Sequence, residues 1–160
     1  MLTEIHLLHG IYDLTIMYCE GIQDISGLGN HHRLKLGGWS SNPITNFNCL
    51  ISIPHVSLDN CFIKDIRVCK YAKSVYLNNC SNIFDISFLK NLEKVEIITS
   101  IIDNKLIGLH ELGNIKDLSL YLNHRQVIND DLLSQFNNHR LKLSSRNLKI
   151  TSLSVQNTSP

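Results

Sequence analysis

Val75-Tyr76-Leu77-Asn78-Asn79-Cys80-Ser81-Asn82-Ile83-Phe84-Asp85-Ile86-Ser87-Phe88-Leu89-Lys90-Asn91-Leu92-Glu93-Lys94-Val95-Glu96-Ile97 is the stretch that decides the fold. Val75 and Leu77 alternate with polar neighbours, the period of two that marks a strand with one buried face. From Cys80 onward the apolar residues fall on every third position: Ile83, Ile86, Leu89, Leu92 and Val95. A spacing of three suits a 3₁₀ or extended threefold path, in which residues i and i+3 eclipse. An α-helix would want spacings of three and four mixed, and more residues than so short a segment can spare. At Val95 the strand signature begins again, 20 residues after Val75.

Outward from this stretch the same signature recurs at Leu14/Ile16, Leu34/Leu36, Val56/Leu58, Val75/Leu77, Val95/Ile97, Leu118/Leu120 and Leu141/Leu143. The steps between first members are 20, 22, 19, 20, 23 and 23 residues. A period in this range denotes a solenoid, whose units bury their apolar faces only by stacking on one another. The triplet phase repeats as Ile22, Ile25, Leu28; Ile44, Phe47, Leu50; Ile63, Ile66, Cys69; and Leu106, Leu109, Leu112. The sixth copy departs from it: Ile128, Leu132, Leu133 and Phe136 have α-like spacing, with Asp130 or Asp131 as N-cap, which predicts a short helix over 131–137. The chain reads as a single domain, 1–160. Repeats run from about 11 to 146. Residues 1–10 form an N-terminal cap in which Leu7 and Leu8 cover the first turn, and 147–160 form a strand-like cap and a tail.

The pattern L-x-x-L-x-L-x-x-(N/C)-x-(x)-I-x-D-I-x-x-L resembles a leucine-rich repeat, in particular the short, roughly 22-residue class found in internalins and related intracellular proteins. Cys80 through Leu92 carries the likeness best, and Cys19 through Leu28 is close behind; the resemblance covers about residues 7 to 146. It implies an α/β solenoid with a parallel, concave sheet of about seven strands, convex 3₁₀ or irregular turns, and ligand recognition on the sheet.

Composition narrows the class. A hydrophobic content of 43% supports a continuous core, while 18% charged residues and a formal net charge of +1 lack the footprint of a dedicated nucleic-acid binder. No apolar run approaches the roughly 20 residues of a membrane span. Met1-Leu2-Thr3-Glu4-Ile5 places an acid where a signal peptide carries a cation, so the expected location is cytoplasmic. Ala72 is the one alanine amid abundant Asn and Ile, a bias that fits an AT-rich genome such as that of a large DNA virus or a protist.

Residues that look chemical have structural readings. The five cysteines include no Cys-x-x-Cys pair; Cys19, Cys61 and Cys80 occupy the position after the strand, Cys69 an apolar slot, and Cys49 lies beside one. All five are expected reduced, with Cys19, Cys61, Cys69 and Cys80 buried. His31 falls in the slot shared by Ile11, Ile53, Ala72, Leu92 and Ile115, as a semi-buried ring bonded to backbone; with His32 and His55 it could converge, but no carboxylate recurs to complete a metal site. Asp24, Asp65 and Asp85 each precede an isoleucine at the start of a turn, where the side chain can accept backbone N–H bonds. The reading therefore assigns no catalytic residue, no metal and no cofactor.

The polar strand positions form the expected working surface. The candidate partner-binding residues are Tyr18, Arg33, Lys35, Trp39, Tyr76, Asn78, Glu96, Tyr121, Arg140 and Lys142. Arg33 and Lys35 recur as Arg140 and Lys142 because His32-Arg33-Leu34-Lys35-Leu36 is repeated unchanged at 139–143. Trp39, the single tryptophan, either plugs the core or anchors a partner. Interfaces favour Tyr and Arg at their hot spots, so the expected function is a non-enzymatic module that binds a protein, with neither nucleic acid nor membrane as partner. The alternative is a structural unit that self-assembles through its parallel edge strands into a homo-oligomer.

Overall fold

The computed structural model describes residues 5–19, 21–38, 44, 46–99, 107–122 and 142–143. The alternating pairs become strands β1 (Asp13–Met17), β2 (Arg33–Gly37), β3 (His55–Asp59), β4 (Ser74–Asn78), β5 (Lys94–Thr99), β6 (Asp117–Leu122) and the two-residue β7 (Lys142–Leu143). They form one seven-stranded sheet in chain order, β1-β2-β3-β4-β5-β6-β7, with every pair parallel. The register aligns Leu14, Leu34, Val56, Val75, Val95 and Leu118 in one inward row and Ile16, Leu36, Leu58, Leu77, Ile97 and Leu120 in the next. A slip of one residue would turn every one of these side chains to solvent, which is what pins the register.

Strands β1 to β4 each end in a tight turn away from the sheet. Tyr18, Asn60 and Asn79 take φ of 55°, 50° and 51°, and Gly38 occupies the equivalent position at 83°. Asparagine and glycine tolerate this left-handed backbone best. The residue there extends the ladder by one bond: Tyr18 N to Gly37 O, Gly38 N to Asp59 O, Asn60 N to Asn78 O and Asn79 N to Ile98 O, at 2.8–3.0 Å. The chain then returns through short 3₁₀ turns, η1 (Ile5–Leu8), η2 (Asn48–Ser52), η3 (Ile66–Cys69), η4 (Ser87–Leu89) and η5 (Leu109–Asn114). At η3 and η4 the starting signal is an acceptor side chain: Asp65 Oδ1 takes Arg67 N at 2.9 Å and Asp85 Oδ1 takes Ser87 N at 2.9 Å. Asp24 does the same for Ser26 N at 2.8 Å, as does Asn46 for Asn48 N at 3.0 Å.

The core lies between the sheet and the returning turns. Ile25, Leu28, Leu50, Ile66, Cys69, Ile86, Leu89 and Leu112 come from the turns, and the two inward strand rows face them; all are buried. Each buried Leu or Ile contributes roughly 1.5–3 kcal/mol relative to exposure. The first unit is covered differently from the sequence expectation. Ile5 is buried, Leu8 is half-buried and Leu7 is 69% exposed, because a four-residue 3₁₀ turn can direct only one edge inward. Ile11 is 40% exposed where its counterparts in later units are buried, since no described strand precedes β1. The expected helix at 131–137, Leu106, Leu141 and the cap at 147–160 lie outside the described residues. Among the described residues no helix is long and apolar enough to cross a membrane.

Candidate functional site

The outward face of the sheet is built from three rows. The row nearest the strand starts holds Asp13, Arg33, His55, Ser74, Lys94 and Asp117; the middle row Thr15, Lys35, Ser57, Tyr76, Glu96 and Ser119; the far row Met17, Gly37, Asp59, Asn78, Ile98 and Tyr121. Neighbours within a row stand about 4.8 Å apart, the strand spacing. Each side chain is held on backbone that the ladder already fixes, so the face is preorganised.

In the first row the cations lie centrally and acids close both ends. Arg33 sits 3.8 Å from Asp13 and Lys94 3.0 Å from Asp117. His55 Nδ1 lies 2.7 Å from Ser74 Oγ. An aromatic ladder meets this row from the strand starts: the Tyr12 and His32 rings stack at 4.4 Å, and His32 meets His55 edge-on at 4.7 Å. Partial burial lowers the His55 pKa from its ordinary value, and the nearby charges of His32, Arg33 and Lys73 lower it further against the opposing Glu93. Among the described residues no group of three His, Cys, Asp or Glu side chains is arranged to hold a metal ion.

The sequence-predicted residues divide between two ends of this face. Arg33 and Tyr76 line an open depression of about 460 Å³ with His55, Ser57, Lys73, Ser74, Glu93 and Lys94. Glu96 stands beside Tyr76 and Lys35 beside Ser57. Asn78 and Tyr121 lie in the far row, where Asn78 Nδ2 donates to Asp59 Oδ1 at 2.9 Å. Burial first, then the carboxylates of Asp59 and Glu96, raise the pKa of the Tyr76 hydroxyl, which keeps it a protonated donor. Tyr18 is not a strand residue: it is 74% exposed at the left-handed corner, and its ring occupies the space a Cβ at Gly38 would need. Ser119 belongs to the middle row yet is buried. Trp39 and Arg140 lie outside the described residues; Lys142 is in β7, paired with Ser119. Lys73 and Glu93 escape a reading by strands, because they sit one position ahead of β4 and β5; the column that holds Tyr12, His32 and Pro54 was the available signal.

The groups set aside as structural mostly are. The Cys61 thiol lies 3.5 Å from Leu36 O and the Cys80 thiol 3.5 Å from Leu58 O, each a carbonyl of the preceding unit. Cys49 is buried rather than merely adjacent to a slot, and Cys19 is only half-buried. Cys19 belongs to the first described unit, and its thiol lies 3.4 Å from Met17 O of its own strand, as the Cys61 and Cys80 thiols lie near Asp59 O and Asn78 O of theirs. His31 is fully buried rather than semi-buried, at 1% exposure; its Nδ1 donates to Ile11 O at 2.5 Å, and its Nε2 is buried with no hydrogen-bond partner among the described residues.

No protein-family model matches the chain, and no curated protein or solved structure matches it.

Proposed function

We propose that the chain is a leucine-rich-repeat module, non-enzymatic and cytoplasmic, that binds a protein through the strand face, which such a repeat presents as its concave side. The observation that carries this reading is the in-register outward face, where Arg33, Lys35, Tyr76, Asn78, Glu96 and Tyr121 stand on one rigid sheet. Side chains so placed lose little freedom on binding. Seven strands at about 4.8 Å span roughly 30 Å, room for a standard interface. Among the described residues the His55–Ser74 pair sets a base beside a hydroxyl, but the Ser74 amide is bound to Pro54 O, so it is not available to stabilise an oxyanion.

The test begins with capture from native cytosol and continues with substitutions in the chain against the purified partner. Tyr76→Ala and Tyr121→Ala should each weaken binding by about 1–3 kcal/mol, the size of a moderate hot spot, with circular dichroism unchanged. Lys64→Ala and Lys90→Ala, on the return side, should leave affinity unaltered. A partner indifferent to both tyrosines would refute the strand-face reading.

A second reading, end-to-end self-assembly, is favoured by the outer edge of β1, beside which no described strand lies. Mass in solution measured over a concentration series separates the two: a constant monomer mass excludes it.

A further inference from the structure

The depression across the starts of β2 to β5 has a chemistry of its own. Its lining includes three permanent cations, Arg33, Lys73 and Lys94, against one carboxylate, Glu93. Among the described residues the Lys73 ammonium makes no ion pair, and Arg33 reaches Asp13 only at 3.8 Å with its side chain 58% exposed. Ser57, Ser74 and Tyr76, each carrying a hydroxyl, line the same space. We propose that this depression receives a phosphate monoester carried on a side chain of the bound protein. The proposal rests on the strand-face reading above and gives that surface its ligand chemistry.

A phosphorylated side chain brings close to two negative charges and three acceptor oxygens. The Arg33 fork, the Lys73 ammonium and the hydroxyls supply donors, and charge-assisted bonds of this kind are the strong ones. The patch is matched in extent to a single dianion. Along its row Asp13 and Asp117 close both ends, and Asp59 and Glu96 lie farther along the strands. A nucleic-acid strand or an anionic bilayer would have to cross these carboxylates, whereas one phosphate on a peptide would not. The same peptide would find Tyr76, Asn78 and Tyr121 in the adjoining rows.

His55 gives the site a reporter. The groups that face it are His32, Arg33, Lys73 and Glu93, and the cations among them favour the neutral ring. A dianion in the depression reverses that field and favours the imidazolium. Nδ1–H then donates to Ser74 Oγ, 2.7 Å away, and the Ser74 hydroxyl is free to donate to a phosphate oxygen. Binding should therefore take up a proton at His55.

The experiment follows the His55 ring by NMR in the full chain while phenyl phosphate is added, with sodium sulfate at matched ionic strength as comparison. The expected result is a saturable shift with a raised His55 pKa for phenyl phosphate, and affinity reduced about tenfold in Lys73→Ala and in Arg33→Ala. Both side chains are exposed, so neither change threatens the fold. An equal response to sulfate, or no loss in either variant, overturns the proposal. Binding to vesicles containing phosphatidic acid that phenyl phosphate does not displace would replace it with a membrane contact. Once a protein partner is in hand, the two readings separate. Loss of affinity in Tyr121→Ala, with indifference to phosphatase treatment and to Lys73→Ala, defeats the phosphate site and leaves the strand face standing. Indifference to all three and to Tyr76→Ala defeats both.

Discussion

At the scale of single residues, the thiols show how the stack uses small polarisable groups. Burial pushes the Cys49, Cys61 and Cys69 thiols up to about 12 and the Cys80 thiol to about 11, from an ordinary 9.0, so all four are neutral and inert at pH 7. The sign of the pH dependence follows. A thiol that ionises near 9 when unfolded and near 12 when folded supports the fold fully below pH 9, and that support is lost as pH rises towards 12. Urea unfolding from pH 7 to 11 should show falling stability. Cys69→Ala should cost about 1–2 kcal/mol at pH 7 yet flatten that slope; an unchanged slope would exclude Cys69 as a source. Asp65 titrates with the opposite sign. Hydrogen bonds from Arg67 hold its carboxyl below the ordinary carboxylate value, so its contribution is present at neutral pH and fades as acid protonates it. Because the site is exposed and screened by solvent, Asp65→Ala should cost only about 1 kcal/mol, the size of a helix cap, in thermal melts at pH 7.

At the scale of elements, each turn is located by its neighbours as much as by its own sequence. Gly108 opens η5 at φ 83°, and a Cβ there would come within 2.5 Å of both Ser87 N and Ser87 Cβ in the preceding turn. The backbones meet because Asp85 and Ile107 form a parallel bridge, with Ile86 N bound to Ile107 O at 3.0 Å. Gly108→Ala should destabilise by about 1–3 kcal/mol or more. Gly108→Asn tests the cause, since asparagine tolerates positive φ but carries the same Cβ. It should destabilise about as much as alanine, and full rescue by asparagine in denaturant melts would mean that backbone conformation alone fixes this glycine. The described strands and turns were legible in the sequence because most copies write the same pattern, so chance matches in one unit are outvoted by the others. The caps at Asp24, Asp65 and Asp85 were legible because an acid recurs before isoleucine; Asn46 does the same work before Phe47 and carries no such mark. The depression was half legible. Arg33 and Tyr76 lie on the strand period, whereas Lys73 and Glu93 share a column with tyrosine, histidine and proline, whose types have nothing in common. Only the parallel register brings that column together.

At the scale of the whole molecule, stacking without independent units dictates how stability is distributed. Leu58 is fully buried between units on both sides, and Leu14 sits in β1, which has one strand neighbour among the described residues. The same leucine side chain should therefore do different work in the two places. In a one-dimensional stack, losing a central contact breaks two interfaces, while losing a terminal one frays an end. Leu58→Ala should cost about 3–5 kcal/mol and Leu14→Ala nearer 2, the spread of large-to-small core substitutions. Hydrogen exchange in the unmodified chain should show the same gradient, with amides of β3, β4 and β5 protected to the limit of global unfolding and those of β1 opening earlier. The candidate binding surface is centred on those strands and extends to Arg33 and Lys35 on β2 and Tyr121 on β6, so most of the face that must stay preorganised is carried by the part of the stack least able to open. Should β1 prove as protected as β4 at concentrations where the chain is monomeric, contacts beyond the described strands must cover its edge, and end-to-end assembly would lose the open edge on which it depends.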